Sequence, residues 1–345
     1  MKNKMALAVC AGLAGAIGAR AAWRAFRRYD LRDKVVLVTG GSRGLGLLLC
    51  REFARTGAKV ATCARDAVEL QSAAVILAKE GIDLFTHVCD VRDQAQVQDL
   101  LTAVDSKFGR VDVLINNAGV IEVGPASEMT LEDYRDAMNT HFWGPLYTSL
   151  AVLPQMRSRN DGRIVNISSI GGKIPVPHLA PYSASKFALV GLSEALRAEL
   201  LPKGIVVTTV CPGLMRTGSP ENAQFKGQNT KEYAWFTLSD SLPVLSMSAD
   251  AAARQIVNAC RHGDAEVVLS LPMKVAAKLY GLAPNLAATA LQIAGAALPA
   301  PGGIGTEKVS GRESHTPLTE SGLTALTQKA ARDNNELREP MAAGT

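Results

Sequence analysis

Tyr182 and Lys186 stand four residues apart in the alanine-rich segment "APYSASKFALVG", residues 180–191. Residues at that spacing share one face of an α-helix, so the lysine ammonium can reach the tyrosine phenol. A nearby cation favours the phenolate and lowers the pKa of a tyrosine below its ordinary value of about 10. Such a tyrosine suits general acid or base catalysis near neutral pH. The same spacing also arises by chance on helix surfaces. The surrounding segments must therefore show whether this pair is catalytic.

A glycine-rich turn, "TGGSRGLG" at residues 39–46, follows the first apolar β-rich segment. Its glycines at 40, 44 and 46 allow a sharp turn and a close approach of pyrophosphate to the amides of the next helix. The spacing departs from the common G-x-G-x-x-G fingerprint, and the alternative is a simple tight connection. Its position directly after a strand favours a nucleotide site.

The second β-rich segment indicates which nucleotide. An acidic residue at its end would bind the adenosine ribose, but "ATCARD" offers Ala64 and then Arg65, with Arg43 in the glycine loop. Two guanidinium groups suit a 2′-phosphate. We therefore expect NADP(H) rather than NAD(H); the alternative is that both arginines are solvated surface residues.

Seven β-rich segments alternate with segments of helical periodicity, at 34–40, 58–64, 82–90, 111–119, 162–169, 204–213 and 265–270. This alternation predicts an α/β fold: a Rossmann-like doubly wound parallel sheet of about seven strands with helices on both faces. We expect a single domain over residues 31–270.

Four other segments have distinct compositions. Residues 1–30 are apolar with a basic flank, 271–306 are apolar and Ala/Leu-rich, and 307–345 form a polar tail expected to pack poorly. The long connection 214–245 is expected to be a lid or a binding loop.

Residues 5–23, "MALAVCAGLAGAIGARAAW", predict a transmembrane helix that attaches the protein to a membrane. As a helix they would span about 28 Å, near the thickness of a hydrocarbon core. The arginines that follow predict a catalytic domain on the cytoplasmic side. This basic flank fits an anionic membrane better than nucleic acid. The alternatives are a cleaved secretory signal and an apolar helix packed on the domain.

The six cysteines are scattered and have no metal-binding spacing, which favours reduced thiols and no metal site. His87, His141 and His178 stand alone in the sequence, so we expect them to have loop or packing roles.

Taken together, the ordered motifs resemble the short-chain dehydrogenase/reductase family over about residues 31–270. They are "TGGSRGLG" (39–46), "DV" (90–91), "NNAG" (116–119), Asn139, "NISS" (166–169), "YSASK" (182–186), "CPG" (211–213) and Thr217. Tyr182 and Lys186 thereby become catalytic candidates.

The resemblance implies four catalytic residues. Tyr182 would exchange a proton with the carbonyl or hydroxyl oxygen, and Lys186 would lower the Tyr182 pKa and hold the nicotinamide ribose. Ser169, rather than its neighbour Ser168, would stabilise the reacting oxygen. Asn139 would hold a water in a proton relay; alternatively it is a mid-helix polar residue.

The resemblance also implies the cofactor-binding residues: Gly40, Ser42, Arg43, Gly44, Leu45, Gly46, Arg65, Asp90, Val91, Asn117, Gly119, Tyr182, Lys186, Pro212 and Thr217. Asp90 and Val91 would line the adenine, and Pro212 and Thr217 the nicotinamide amide.

The substrate would lie between residues 170–181 and the loop after Gly213. Several apolar residues there predict a cleft for a lipophilic carbonyl or alcohol, although they could instead be core: Ile174, Val176, Leu179, Leu214, Trp235 and Phe236. His178 is a further candidate for substrate contact.

The predicted function is an NADP(H)-dependent oxidoreductase that interconverts a carbonyl and an alcohol. The alternative is an NADPH-binding scaffold or redox sensor without turnover. The resemblance also implies a homodimer or homotetramer, formed through the helices around 131–157 and 180–201.

Overall fold

The chain folds around a central parallel β-sheet. A computed structural model describes residues 15, 18, 24, 28–243 and 246–337. Its strands are β1 (Val35–Thr39), β2 (Lys59–Ala64), β3 (Leu84–Val88), β4 (Val113–Asn116), β5 (Glu122–Val123), β6 (Gly162–Ile167), β7 (Ile205–Cys211), β8 (Leu214–Arg216), β9 (Gln224–Phe225), β10 (Ser246–Ser248), β11 (Glu266–Val268) and β12 (Val309–Ser310).

The central sheet has seven strands in the order β3-β2-β1-β4-β6-β7-β11, and all neighbouring strands are parallel. Strand order reverses between β1 and β4, since β2 lies on one side of β1 and β4 on the other. In sheets of this kind, ligands bind beyond the carboxyl ends of the strands at this reversal.

Helices cover both faces of the sheet. The α-helices are α1 (Gly44–Arg55), α2 (Ala67–Ala78), α3 (Gln94–Phe108), α4 (Leu131–Met138), α5 (Gly144–Arg159), α6 (Ala180–Leu200), α7 (Asn229–Ser241), α8 (Ala249–His262), α9 (Leu271–Leu282), α10 (Pro284–Ala296) and α11 (Ala325–Asp333). A π-helix at Asn139–Trp143 joins α4 to α5.

Alternate residues of β1 belong to two different hydrophobic clusters. Val36 and Val38 pack in a cluster with residues of α1 and α8, while Val35 and Leu37 pack in one with residues of α3 and α5. Successive side chains of a strand point to opposite faces, and a parallel sheet covered on both sides needs apolar residues on both. The predicted doubly wound α/β fold is confirmed.

The connection 214–245 contains β8, β9 and α7. Strand β9 pairs with β5 and β12 in a small second sheet, and β8 pairs with β10. The segment predicted to be a lid or binding loop is therefore largely regular structure packed on the domain.

The polar tail, predicted to pack poorly, is packed over residues 307–337. Ser314 and Thr324 are buried, and α11 contacts α7. Lys308 Nζ lies 2.8 Å from a Glu122 carboxylate oxygen and 3.0 Å from one of Asp133. Ion pairs and hydrogen bonds attach this segment, so its polar composition gave no indication of burial.

Helices α9 and α10 contain no buried residues. Leu271, Leu282, Leu286 and Ile293 are exposed large apolar side chains on this pair. None of the described helices is long and apolar enough to cross a membrane. The predicted anchor, residues 5–23, lies outside the described residues apart from Gly15 and Gly18.

Candidate active site

A cavity of about 1030 Å³ opens where the carboxyl ends of the strands meet. Its lining includes the segments that follow β1, β2, β4, β6 and β7. All the predicted cofactor-binding residues line it, as do Ser169, Tyr182 and Lys186. Asn139 is the one predicted catalytic or cofactor-binding residue that does not line this cavity.

The glycine loop takes its shape from contacts with the segment after β4. Gly40 has a φ of +68°, which favours glycine. A Cβ on Gly46 would collide with the Gly40 carbonyl oxygen and the Asn117 amide. Asn117 Nδ2 donates to the Thr39 and Gly40 carbonyl oxygens, both at 3.1 Å. The motif "NNAG" therefore fixes the loop against the start of α1, where helix amides suit a diphosphate.

The two arginines predicted for the 2′-phosphate have different surroundings. Arg43 lies 3.2 Å from Glu69 and 3.5 Å from Glu336. Arg65 is exposed and makes no hydrogen bond or ion pair with the part of the chain that the structure describes. Asp66 caps α2, accepting from the backbone N–H groups of Val68 and Glu69. Arg65 is therefore the cation available to a phosphate at the end of β2.

Tyr182 and Lys186 lie in the first turns of α6. The Lys186 ammonium is 5.6 Å from the centre of the Tyr182 ring and donates to the Ile167 carbonyl oxygen at 2.9 Å. Ser169 Oγ accepts from the Gly171 N–H at 3.0 Å, whereas the Ser168 hydroxyl donates to the Lys186 carbonyl oxygen. The hydroxyl of Ser168 is thus used within the protein.

Burial dominates the ionisation of both groups. It raises the pKa of Tyr182, although a hydrogen bond with Ser169 acts in the opposite direction, and it lowers the pKa of Lys186 to about 7. The expected lowering of the Tyr182 pKa by Lys186 is therefore wrong for the described residues alone.

His141, rather than Asn139, lies at the predicted catalytic group. Asn139 is exposed at the start of the π-helix, while His141 is 1% exposed and lines the cavity. The His141 ring stands edge-on to Tyr182 with ring centres 5.3 Å apart, and its Nδ1 is 2.8 Å from Ser185 Oγ. Asn139 was assigned from the order of the motifs, which carries no information on the local π-helix that sets the direction of each side chain. The packing role expected of His141 agrees with its burial, but its contact with Tyr182 was not predicted.

Comparison with known proteins agrees with this geometry. The family model described as short chain dehydrogenase matches residues 34–226, more than half of the chain. The chain belongs to the short-chain dehydrogenase/reductase family. This confirms the resemblance carried by the sequence motifs.

Individual members of the family resemble the chain over different lengths. "Granaticin polyketide synthase putative ketoacyl reductase 1" of Streptomyces violaceoruber is 41% identical over 192 residues, 55% of this chain and 71% of that protein. Dehydrogenase/reductase SDR family member 7B of Bos taurus is 33% identical over 271 residues, 76% of this chain and 82% of its own.

A solved structure extends the comparison to a cofactor complex. Gluconate 5-dehydrogenase from Burkholderia cenocepacia, in complex with NADP and tartrate, has a TM-score of 0.64 and 25% identity. The match covers 73% of this chain and 99% of that one. The family binds NAD or NADP, and the glycine loop, the cavity volume and Arg65 fit such a dinucleotide.

In this member of the short-chain dehydrogenase/reductase family, the end of the described chain reaches the cofactor loop. Residues 334–336, here called the C-terminal strap, bond to the glycine loop, and Glu336 lines the cavity. The Gly44 N–H donates to the Asn334 carbonyl oxygen at 2.8 Å, and Asn335 Nδ2 donates to the Ser42 carbonyl oxygen at 2.8 Å. Glu336 is 3% exposed and accepts from Asn222 Nδ2 at 2.6 Å. Burial raises the pKa of Glu336 to about 7.

Most of the residues predicted to form a lipophilic cleft lie behind the cavity wall, in a hydrophobic cluster against which the cavity-lining residues Tyr182 and Ile121 pack. None of the six lines the main cavity. Leu179 and Phe236 are core members of this cluster, with Val176 and Trp235 packed against it. His178 Nδ1 lies 2.8 Å from the buried Glu232. The alternative that these apolar residues belong to the core fits most of them.

No group of three or more histidine, cysteine or carboxylate side chains in the described part of the chain could hold a metal ion. Its five cysteines are free and buried: Cys50, Cys63, Cys89, Cys211 and Cys260.

Proposed function

We propose that the protein is an NADP(H)-dependent oxidoreductase that interconverts a carbonyl and an alcohol. One observation carries the proposal: Ser169, Tyr182 and Lys186 line the same cavity as the glycine loop and Arg65. A proton donor, a cation and a dinucleotide-sized site are thereby combined in one cavity.

The bound cofactor supplies the hydride, and the protein supplies orientation and a proton. The raised pKa of Tyr182 keeps its phenol protonated at neutral pH, so it can donate to a carbonyl oxygen during reduction. Ser169 supplies a second hydroxyl for the oxygen on which charge develops. The Lys186 ammonium lies 5.6 Å from the centre of the Tyr182 ring, where it would oppose the burial that disfavours the phenolate left after proton transfer.

NADP(H) is the proposed cofactor because Arg65 lines the cavity at the end of β2 and forms no salt bridge with any described carboxylate. Its charge acts on Asp90, whose pKa it helps to lower. A planar guanidinium can bind a phosphate through two parallel hydrogen bonds. The relative solved with NADP has the same fold, which is consistent with this proposal.

The proposed substrate is a lipophilic ketone or alcohol. One support is the similarity to a polyketide-associated ketoacyl reductase. A second is the apolar cluster of Leu179 and Phe236, which packs against Tyr182 next to the cavity. Because a similar solved structure is a gluconate 5-dehydrogenase, a polar sugar acid is the substrate class to test against the lipophilic one.

The test is NADPH consumption against a panel of apolar ketones, β-ketoacyl thioesters and keto-sugar acids, with the Tyr182→Phe variant as control. We expect turnover of an apolar ketone, and a loss of several orders of magnitude in kcat with unchanged NADPH affinity in the variant. NADPH binding without turnover of any panel member would favour the scaffold alternative. Near-normal turnover by Tyr182→Phe would overturn the assignment of the proton donor.

We also propose attachment to the cytoplasmic side of a membrane through residues 5–23, and assembly into a homodimer or homotetramer. Arg24, just after the apolar segment, pairs with Asp264 at 2.7 Å beside the lysine-bearing face of α9. Helix α9 also carries the exposed apolar side chains of Leu271 and Leu282, which supports a membrane-facing side on this helix.

A further inference from the structure

His141 joins the two segments that must be aligned for the reaction. Its Nε2 accepts from the backbone N–H of Val120, directly after the cofactor motif that ends at Gly119. Its Nδ1 is 2.8 Å from Ser185 Oγ, and the Ser185 hydroxyl donates to the Tyr182 carbonyl oxygen at 2.9 Å. A continuous hydrogen-bonded chain therefore links the loop after β4 to the first turn of α6.

The contacts assign the tautomer of His141. The backbone N–H of Val120 can only donate, so Nε2 must be the unprotonated nitrogen, and a neutral ring then carries its proton on Nδ1. Burial, together with the charge of Lys186, lowers the pKa of His141 well below its ordinary value. The ring is consequently neutral at physiological pH, and Nδ1 donates to Ser185.

The ring also limits the position of the Tyr182 phenol. His141 stands edge-on to Tyr182, with an angle of 85° between the ring planes. Aromatic pairs favour this arrangement, because the positive edge of one ring meets the negative face of the other. Ser185 and Lys186 are fully buried on the same helix, so this side of Tyr182 has little room to move.

We propose that His141 is a positioning residue for the reaction: it fixes the Tyr182 phenol relative to the cofactor-binding loop at Gly119–Val120. This inference rests on the proposed function, in which Tyr182 transfers the proton. A misplaced proton donor lowers the rate of the chemical step more than it lowers cofactor binding.

The test compares three variants. His141→Phe keeps a ring but removes both hydrogen bonds, His141→Gln keeps an acceptor and a donor, and Ser185→Ala breaks the chain at its next member. With NADPH and phenanthrenequinone as probes, we expect His141→Phe to lose about tenfold or more in kcat, the equivalent of one lost hydrogen bond, while NADPH affinity changes by less than about threefold. We expect His141→Gln to stay within about threefold of the parent, and Ser185→Ala to fall between them.

A readout without turnover separates this inference from the proposed function. In protein labelled with ¹⁵N-histidine, the His141 signal should report a protonated Nδ1 and a bare Nε2. The signal of ¹³Cζ-labelled Tyr182, assigned with Tyr182→Phe, should shift in His141→Phe and return in His141→Gln. A parent protein that binds NADPH but reduces nothing contradicts the proposed function alone. The positioning role would be overturned if both His141→Phe and Ser185→Ala kept the kcat or the Tyr182 signal of the parent. It would also be overturned if His141→Gln were no more active than His141→Phe.

Discussion

The Glu336 carboxylate lies against Gly44 at the start of helix α1, where a Cβ on the glycine would meet Glu336 Oε1 at 2.5 Å. A helix N-terminus favours an anion, and the diphosphate of a dinucleotide would use the same amides. The Glu336 carboxylate of the C-terminal strap therefore lies at the helix N-terminus where a cofactor phosphate would bind.

We predict that Glu336→Gln binds NADPH more tightly than the parent at pH 8, by about threefold to tenfold, and equally well at pH 6. The pKa of Glu336 is raised to about 7, so the carboxyl is neutral below that value and negative above it. Only the charged form repels the cofactor phosphates. Fluorescence titration with NADPH at the two pH values measures the effect, and a pH-independent difference would show that charge is not its cause.

Reduction should become slower as pH rises through about 7. Burial lowers the pKa of Lys186 to about 7, so its ammonium is present below that pH and is lost above it. We expect kcat/KM for reduction to be level below about pH 6 and to fall about tenfold per pH unit above 8, since kcat/KM follows ionisations of the free enzyme. In Lys186→Arg the side chain keeps its charge at these pH values, so kcat/KM should no longer fall above pH 8. If the variant shows the same midpoint pH as the parent, Lys186 is not the group whose ionisation causes the fall.

Arg65→Ala should weaken NADPH binding by about tenfold or more and leave NADH binding unchanged, because one charge-assisted contact to the 2′-phosphate is lost. Arg43→Ala is the matched comparison, and its effect should be smaller because Arg43 already pairs with Glu69 and Glu336. Equal dissociation constants for NADPH and NADH in the parent would show that both arginines are only surface charges.

The sequence predicted the sheet and the segments that line the cavity, because each depends on a local signal; the roles of the individual site residues stay predictions. Apolar strands, a glycine turn and the Tyr182–Lys186 spacing can be read within a few residues. Asn139 was chosen by residue type and motif order, and the π-helix that turns it outward has no such signal. The contact of Glu336 with Gly44 joins opposite ends of the chain, and no local pattern predicts a pairing of that kind.

Full-length protein should bind phosphatidylcholine vesicles that contain phosphatidylserine, and a version starting at Tyr29 should bind them far less while keeping NADPH affinity. The expected loss reflects removal of both the apolar residues 5–23 and the arginines that follow them. In a flotation assay without detergent, full-length protein that stays in the bottom fraction, away from the vesicles, would refute the anchor.

Assembly should depend on exposed apolar residues around α5 and α6. Trp143, Leu150 and Phe187 are exposed there, with Leu150 52% exposed. We expect Leu150→Glu to convert the homodimer or homotetramer into a monomer in light scattering, because a buried unpaired charge opposes association. Leu323→Glu is the control, because Leu323 lies on the tail and is also exposed, at 65%. A parent protein that is monomeric at micromolar concentration would contradict the prediction.

The contacts of the tail with the cavity also determine when the site can form during synthesis of the protein. Ribosomes release a chain from its N-terminus, so the sheet strands are available long before residues 308 and 336 emerge. Lys308 and Glu336 both line the cavity, and the first also pairs with Glu122 and Asp133. The nascent chain can therefore form its cofactor loop early, but the finished cavity exists only after residues 308 and 336 have emerged.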